Sequence, residues 1–199
     1  MFQKEFAHRY KQKVSYGDKI GAIKLCYSNY DFIPEEYACI KDTIKTCIYK
    51  DVIVIKSIGL GQRAKELTDI IEMIIQHTAT LPHKPRIHLV GYDIYKERLN
   101  QAETYIAPLR HKYKGDIAYY PVQIDIFDIP NWSKFIEYPS DVIIWRHTWV
   151  NCGSHGEMLT EHGMTALAEL LLNNLNGGGA LVISEMDFNI RIHRRKTYA

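Results

Sequence analysis

Two glycines, two aspartates and a histidine stand at places where alternating strands and helices would gather reactive groups. Gly59-Leu60-Gly61 closely follows the β-branched run Val52-Ile53-Val54-Ile55. Glycine there lets a ligand approach the backbone, and a helix opening near Gln62 would present free N–H groups to it. Asp93 closes the run Ile87-His88-Leu89-Val90-Gly91-Tyr92, and its two acceptor oxygens match the vicinal hydroxyls of a ribose. Asp125 follows the run from Ile117 to Ile124. It can accept from an exocyclic amine such as adenine offers, with Ile94 and Ile126 placed to sandwich the ring. His147 lies just past Asp141-Val142-Ile143-Ile144-Trp145 and is the best-placed group to take a proton near neutral pH. Each residue also has a plainer reading. The glycines can be a tight turn only, Asp93 a helix N-cap, Asp125 a loop carboxylate and His147 a structural histidine.

The elements that would position these groups follow from periodicity. Val52 to Ile58 reads as a strand buried on both faces, and Leu67, Ile70, Ile71, Ile74 and Ile75 recur at helical spacing behind the glycine turn. Ile87 to Asp93 reads as a second strand and Leu99, Ala102, Ile106 and Leu109 as a second helix. Ile117 to Ile124 and Asp141 to Trp145 form the third and fourth strands. A helix over Leu159 to Leu175, capped by Asn176-Gly177-Gly178-Gly179, leads into a fifth, Ala180 to Glu185. This βαβα order predicts an α/β fold with a doubly wound, mostly parallel sheet of at least five strands. In such a sheet ligands sit beyond the carboxyl ends of the strands, where strand order reverses. Residues 1–49 stand apart as an N-terminal helical extension or lid. Their helix opens at Pro34-Glu35-Glu36 and carries Tyr37, Ile40, Ile44, Cys47 and Ile48 on one stripe. Residues 50–199 form the ligand-binding domain.

The chain of 199 residues is 46% hydrophobic and 24% charged, enough for a sizeable core. The longest apolar stretches fall far short of the roughly 20 residues that span a bilayer, so no membrane association is expected. The charged start argues against a secretory signal and favours a cytoplasmic address. Four scattered cysteines make no C-x-x-C pair and read as reduced thiols. A net charge of +2 forces no anionic partner. Both termini are locally basic, the last of them through Arg191, Arg194, Arg195 and Lys196, which allows contact with a nucleic acid.

Rival chemistries fit less well. His147, His155 and His162 are spaced by 8 and 7 residues, which matches no compact zinc pattern, so no metal is expected. Gly59 to Ala64 also satisfies the G-x-G-x-x-[G/A] pattern of dinucleotide binding. The ribose acid of that pattern falls about 20 residues on, whereas Asp93 is 32 residues beyond Gly61. That spacing disfavours an NAD-dependent oxidoreductase.

Over residues 50–188 the chain resembles the class I S-adenosylmethionine-dependent methyltransferases, which are Rossmann-like. The motifs are VIVIKSIGLGQ, IHLVGYDIYKERLNQAE, VQIDIFDIP, DVIIWRHTWV and NNLNGGGALVISE. The resemblance implies S-adenosylmethionine as cofactor, with its methionine part over Ser57, Gly59 and Gly61, its ribose on Asp93, and its adenine near Ile94, Asp125 and Ile126. It also implies methyl transfer to an acceptor that is a small molecule, an RNA or a protein, with His147 as candidate base. Three departures stand out. Ser57 replaces the acid usual two positions before the first glycine, Arg63 stands where a third glycine is frequent, and the C-terminal end is short for the family sheet. The alternative they prompt is a non-catalytic methyltransferase-like protein that binds a nucleoside or a partner.

Overall fold

The computed structural model describes residues 11–13, 32, 34–60, 62–126, 128–146, 157–159, 161–185 and 188–194. In chain order the elements are β1 (Lys11–Lys13), α1 (Pro34–Cys47), β2 (Val52–Ile58), α2 (Lys65–Thr78), β3 (Arg86–Asp93), α3 (Lys96–Tyr113), β4 (Ile117–Gln123), β5 (Ser140–Arg146), β6 (Glu157–Leu159), α4 (Glu161–Asn173), β7 (Leu175–Glu185) and β8 (Phe188–Arg194). Two 3₁₀ segments, Gln62–Ala64 and Ile129–Ile136, link β2 to α2 and β4 to β5.

A six-stranded sheet has the order β4-β3-β2-β5-β7-β8, and a separate antiparallel pair joins β1 to β6. The first five strands are parallel and β8 returns antiparallel along β7. Strand order therefore reverses between β2 and β5. The alternation of the strands sorts side chains onto two layers. Ile53, Ile55, Ile87, Leu89, Val142, Ile144 and Val182 pack with Ile40 and Ile44 of α1, Leu67, Ile70 and Ile74 of α2, and Leu99, Ala102 and Ile106 of α3. On the other face Ile58, Val90, Tyr92, Ile143, Trp145, Leu181 and Ile183 pack with Trp132, Phe135 and the α4 residues Leu167 and Leu171. Helical cover on both faces of a parallel sheet is the doubly wound, Rossmann-like arrangement expected from the strand and helix alternation.

α1 is a layer of this core. Ile40 and Ile44 are wholly buried, and each side chain so buried contributes on the order of 1.5–3 kcal/mol. Its other stripe residues Cys47 and Ile48 are buried in the same cluster, while Tyr37 is exposed. Burial pushes the Cys47 thiol up to about 11, which leaves it protonated and unreactive.

One expectation needs correction. Asn176-Gly177-Gly178-Gly179 does not cap a helix, because α4 ends at Asn173 and the four residues lie inside β7. They bulge from the ladder: Ser140 pairs with Leu175, and Val142 next pairs with Ala180. Gly178 takes a positive φ of 78°, which glycine tolerates without a steric cost, and Asn176 Nδ2 donates to Asp141 Oδ1 at 2.9 Å. Part of the basic C-terminal stretch belongs to the sheet: Arg191 and Arg194 lie in the backbone of β8, paired with Ile183 and Ala180.

Candidate functional site

The carboxyl ends of β2, β3 and β5, with the residues just past β4, converge where strand order reverses. β2 and β3 remain joined up to the turn, Gly59 N–H donating to the Tyr92 carbonyl at 2.8 Å. Gly59 has φ 75°, so the chain leaves the strand through a conformation that suits glycine. Gly61 lies outside the described residues. Arg63 and Ala64 follow with φ 66° and 46°, and Ala64 opens α2 with no side-chain cap. An exposed arginine in the left-handed region costs about 1–2 kcal/mol, partly offset by glycine's greater freedom when unfolded. Arg63→Gly is accordingly expected to raise stability by about 0.5–1 kcal/mol, read as a higher urea midpoint at unchanged slope.

Asp93 ends β3 almost wholly buried. Its Oδ1 accepts the Tyr95 N–H at 2.8 Å, and Oδ2 lies 3.8 Å from Arg98 Nη1. Burial raises its pKa, opposed by the Tyr95 N–H, by Arg98 and by the N–H groups of Leu60 and Ile94. The carboxylate thus braces the glycine turn through Leu60 while facing the crevice end of β3. Helix α3 begins after Tyr95, which makes no side-chain cap, so Asp93 serves as an acceptor for the turn before that helix.

Beyond β4, Gln123 Nε2 donates to the Ile94 carbonyl at 3.1 Å, and Ile124 N–H to that of Asp93 at 3.0 Å. Asp125 is half-buried and its carbonyl accepts Asp128 N–H at 2.9 Å. Ile126 is buried, its carbonyl held by Trp132 Nε1 at 2.7 Å. Ile94 therefore lies just past β3, and Asp125 and Ile126 just past the neighbouring β4, with Ile126 packed in the second core cluster. His147 lies outside the described residues, directly after the last residue of β5, as do Thr148 and Trp149.

A charged cluster at the same crevice emerges only in the fold. Arg146 ends β5 almost wholly buried, with Nε 3.3 Å from Glu36 Oε1 and Nη1 3.8 Å from Glu66 Oε1. Its guanidinium lies over the Phe32 ring, 5.1 Å from the centroid. Burial raises the pKa of Glu66, opposed by its own backbone N–H and by Arg146. Both glutamates sit one turn before an apolar residue, at i−4 from Ile40 and Ile70. A charge on the buried stripe of an amphipathic helix is the signal that marks them.

The geometry defines a doubly wound α/β protein in which a glycine turn and two aspartates gather at and just past adjacent strand ends beside the strand-order reversal. No protein-family model matches the chain, and no curated protein matches it. Among solved structures it is similar to a protein assigned as an rRNA methylase from Clostridium thermocellum, at 14% identity and TM-score 0.47, over 77% of this chain and 73% of that one. It is also similar to the rRNA methyltransferase aviRa from Streptomyces viridochromogenes, at 13% identity and TM-score 0.46, over 86% and 82%. A third is a SAM-dependent methyltransferase from Methanosarcina mazei, at 16% identity and TM-score 0.42, over 77% of this chain but only 57% of that one. Among the described residues no helix is long and apolar enough to cross a membrane.

Proposed function

We propose that this chain is an S-adenosylmethionine-dependent methyltransferase. The observation that carries this reading is the placement of the Gly59 turn, Asp93 and Asp125 at or just past consecutive strand ends beside the β2/β5 reversal. The residues present fit the cofactor. The turn at Gly59 admits a backbone approach, Asp93 stands at the ribose position, and Ile94 and Ile126 flank the place for adenine beside Asp125. Ser57 is buried on the strand just below the turn. When bound, the cofactor supplies an activated methyl group on a sulfonium. The protein positions an acceptor against that carbon and keeps water out. His147, immediately after β5, is the residue proposed to take a proton from a hydroxyl or ammonium acceptor. The acceptor class stays open among small molecules, RNA and protein, with the basic termini as a further contact for nucleic acid.

One observation favours a second reading. Asp93 already receives backbone N–H groups of Leu60, Ile94 and Tyr95, which suits a structural brace in a methyltransferase-like protein without catalysis. Thermal melting with S-adenosylmethionine, S-adenosylhomocysteine and NAD in parallel separates these possibilities. A ligand at 100 times its Kd stabilises by about 2.7 kcal/mol, or roughly 5–10 °C for a chain of this size. The methyltransferase reading expects that shift with both sulfur nucleosides and a weaker one in Asp93→Asn. A shift with NAD alone sinks it. Binding of both sulfur nucleosides with no methyl transfer across an acceptor screen selects the second reading.

A further inference from the structure

We infer that the cleft between α2 and α3 binds a nucleoside monophosphate unit, its phosphate on Arg63 and its base against Tyr105. The cleft has a volume of about 350 Å³, within the range of about 300–1,000 Å³ usual for small-ligand sites. Its walls are Arg63 from the turn before α2, Thr68, Asp69 and Glu72 of α2, and Tyr105 and Leu109 of α3. None of Gly59, Asp93 and Asp125 lines it, so this binding is independent of the methyltransferase reading.

Charge and strain single out Arg63. Lys65 Nζ donates to both oxygens of Asp69, at 2.8 and 2.7 Å, and Lys112 Nζ lies 3.9 Å from Glu72 Oε1. Each carboxylate of the cleft thus has a lysine, whereas Arg63 is exposed and its guanidinium makes no ion pair or hydrogen bond among the described residues. One positive charge is left over, and the guanidinium fork matches a phosphate through paired N–H bonds. The backbone of Arg63 holds φ 66°, which glycine would adopt without steric cost. Strain of this kind collects at ligand clamps, and here it fixes a guanidinium on the wall of a cleft. The α3 wall is aromatic and apolar. Tyr105 is 40% exposed, and its ring with the Leu109 side chain gives a flat base a face to lie on. Between the two walls Thr68 Oγ1 donates to the Lys65 carbonyl at 3.0 Å and keeps lone pairs for a sugar hydroxyl. A bare anion would leave the aromatic wall uncovered, and an uncharged ring would leave Arg63 unmatched. A nucleotide unit carries both groups on one sugar.

Calorimetric titration with uridine 5′-monophosphate and with uridine tests the site. The wild-type chain should bind the nucleotide more tightly than the nucleoside by about tenfold or more. Arg63→Gly, expected to be the more stable chain, should bring the nucleotide down to the affinity of the nucleoside. Tyr105→Ala should weaken both ligands by about fivefold or more. An oligouridylate separates the two sources of such a unit. Binding tighter than that of the monophosphate, with the same dependence on Arg63, supports the site as one for a nucleotide within an RNA strand; binding no tighter supports it as one for a free nucleotide. No binding of uridine monophosphate at millimolar concentration overturns the inference, as does an unchanged affinity in either variant. Inorganic phosphate that competes as well as the nucleotide overturns it too. So does displacement of the nucleotide by S-adenosylhomocysteine, which would put both at the strand ends instead.

Discussion

Lys56→Met is expected to lower stability by about 3–5 kcal/mol, a large share of what a domain of this size has. Lys56 is wholly buried under the second face of the sheet. Its ammonium donates to the carbonyls of Phe135 at 2.7 Å and Tyr138 at 2.5 Å, and to Asn174 Oδ1 at 2.8 Å. Three donors thus meet three oxygens. Asn174 Nδ2 in turn donates to the Ile136 carbonyl at 3.0 Å, so one lysine ties β2 to the 129–138 segment and to the end of α4. Methionine matches the stem in length but leaves those oxygens without their donor in the interior, a cost of about 1–3 kcal/mol for each group that water cannot reach. Urea denaturation of both chains measures the loss directly. The same residue sets a pH dependence. Burial brings its pKa down from 10.5 to about 8, against a weak upward pull from Glu137. Between those values the unfolded chain holds more protons than the folded one, so this group's contribution to stability grows as pH rises from about 8 towards 10.5. The gap between wild type and Lys56→Met should widen over that window, and a constant gap would contradict the assignment.

Asp141→Ala is expected to cost about 3–4 kcal/mol, with Asp141→Asn nearer 1–2 kcal/mol. Asp141 is wholly buried at the start of β5. Its Oδ1 accepts Lys50 Nζ at 2.6 Å and Asn176 Nδ2 at 2.9 Å, and Oδ2 accepts the backbone N–H of Val54 at 2.9 Å. The β2–β5 ladder begins one residue later, at Ile55 and Val142, so this carboxylate does for Val54 what a neighbouring strand's carbonyl would do. Alanine leaves that N–H unpaired and releases the four-residue bulge of β7. Asparagine keeps an acceptor for Val54. Lys50 is over a third exposed, and an ion pair open to water contributes little, so Lys50→Ala should cost no more than about 1 kcal/mol. Urea midpoints of the three variants should fall in that order, alanine at 141 lowest. A Lys50→Ala chain as unstable as Asp141→Ala would mean that the ion pair, rather than the backbone bond, carries the effect.

Much of this was legible in the residues alone. The apolar periods of 67–75 and 99–109 and the continuous runs of 52–58, 87–93 and 141–145 state whether each segment is helix or strand, because the spacing of apolar side chains must match the face each element buries. The order of those segments determines parallel pairing, and parallel pairing puts the Gly59 turn, Asp93 and Asp125 at one end of the sheet. Composition and local spacing left the rest undecided. The glycines at 177–179 look like a helix cap in one dimension, and only the pairing of β5 with both Leu175 and Ala180 turns them into a bulge. The tail from 188 shows basic residues, while its place as the last strand depends on β7 offering an open edge. Glu36, Glu66 and Arg146 are 30 and 80 residues apart in sequence. Their meeting is decided by how α1 and α2 pack over β5, since ion pairing acts over a few ångströms in space and carries no periodic mark along the chain.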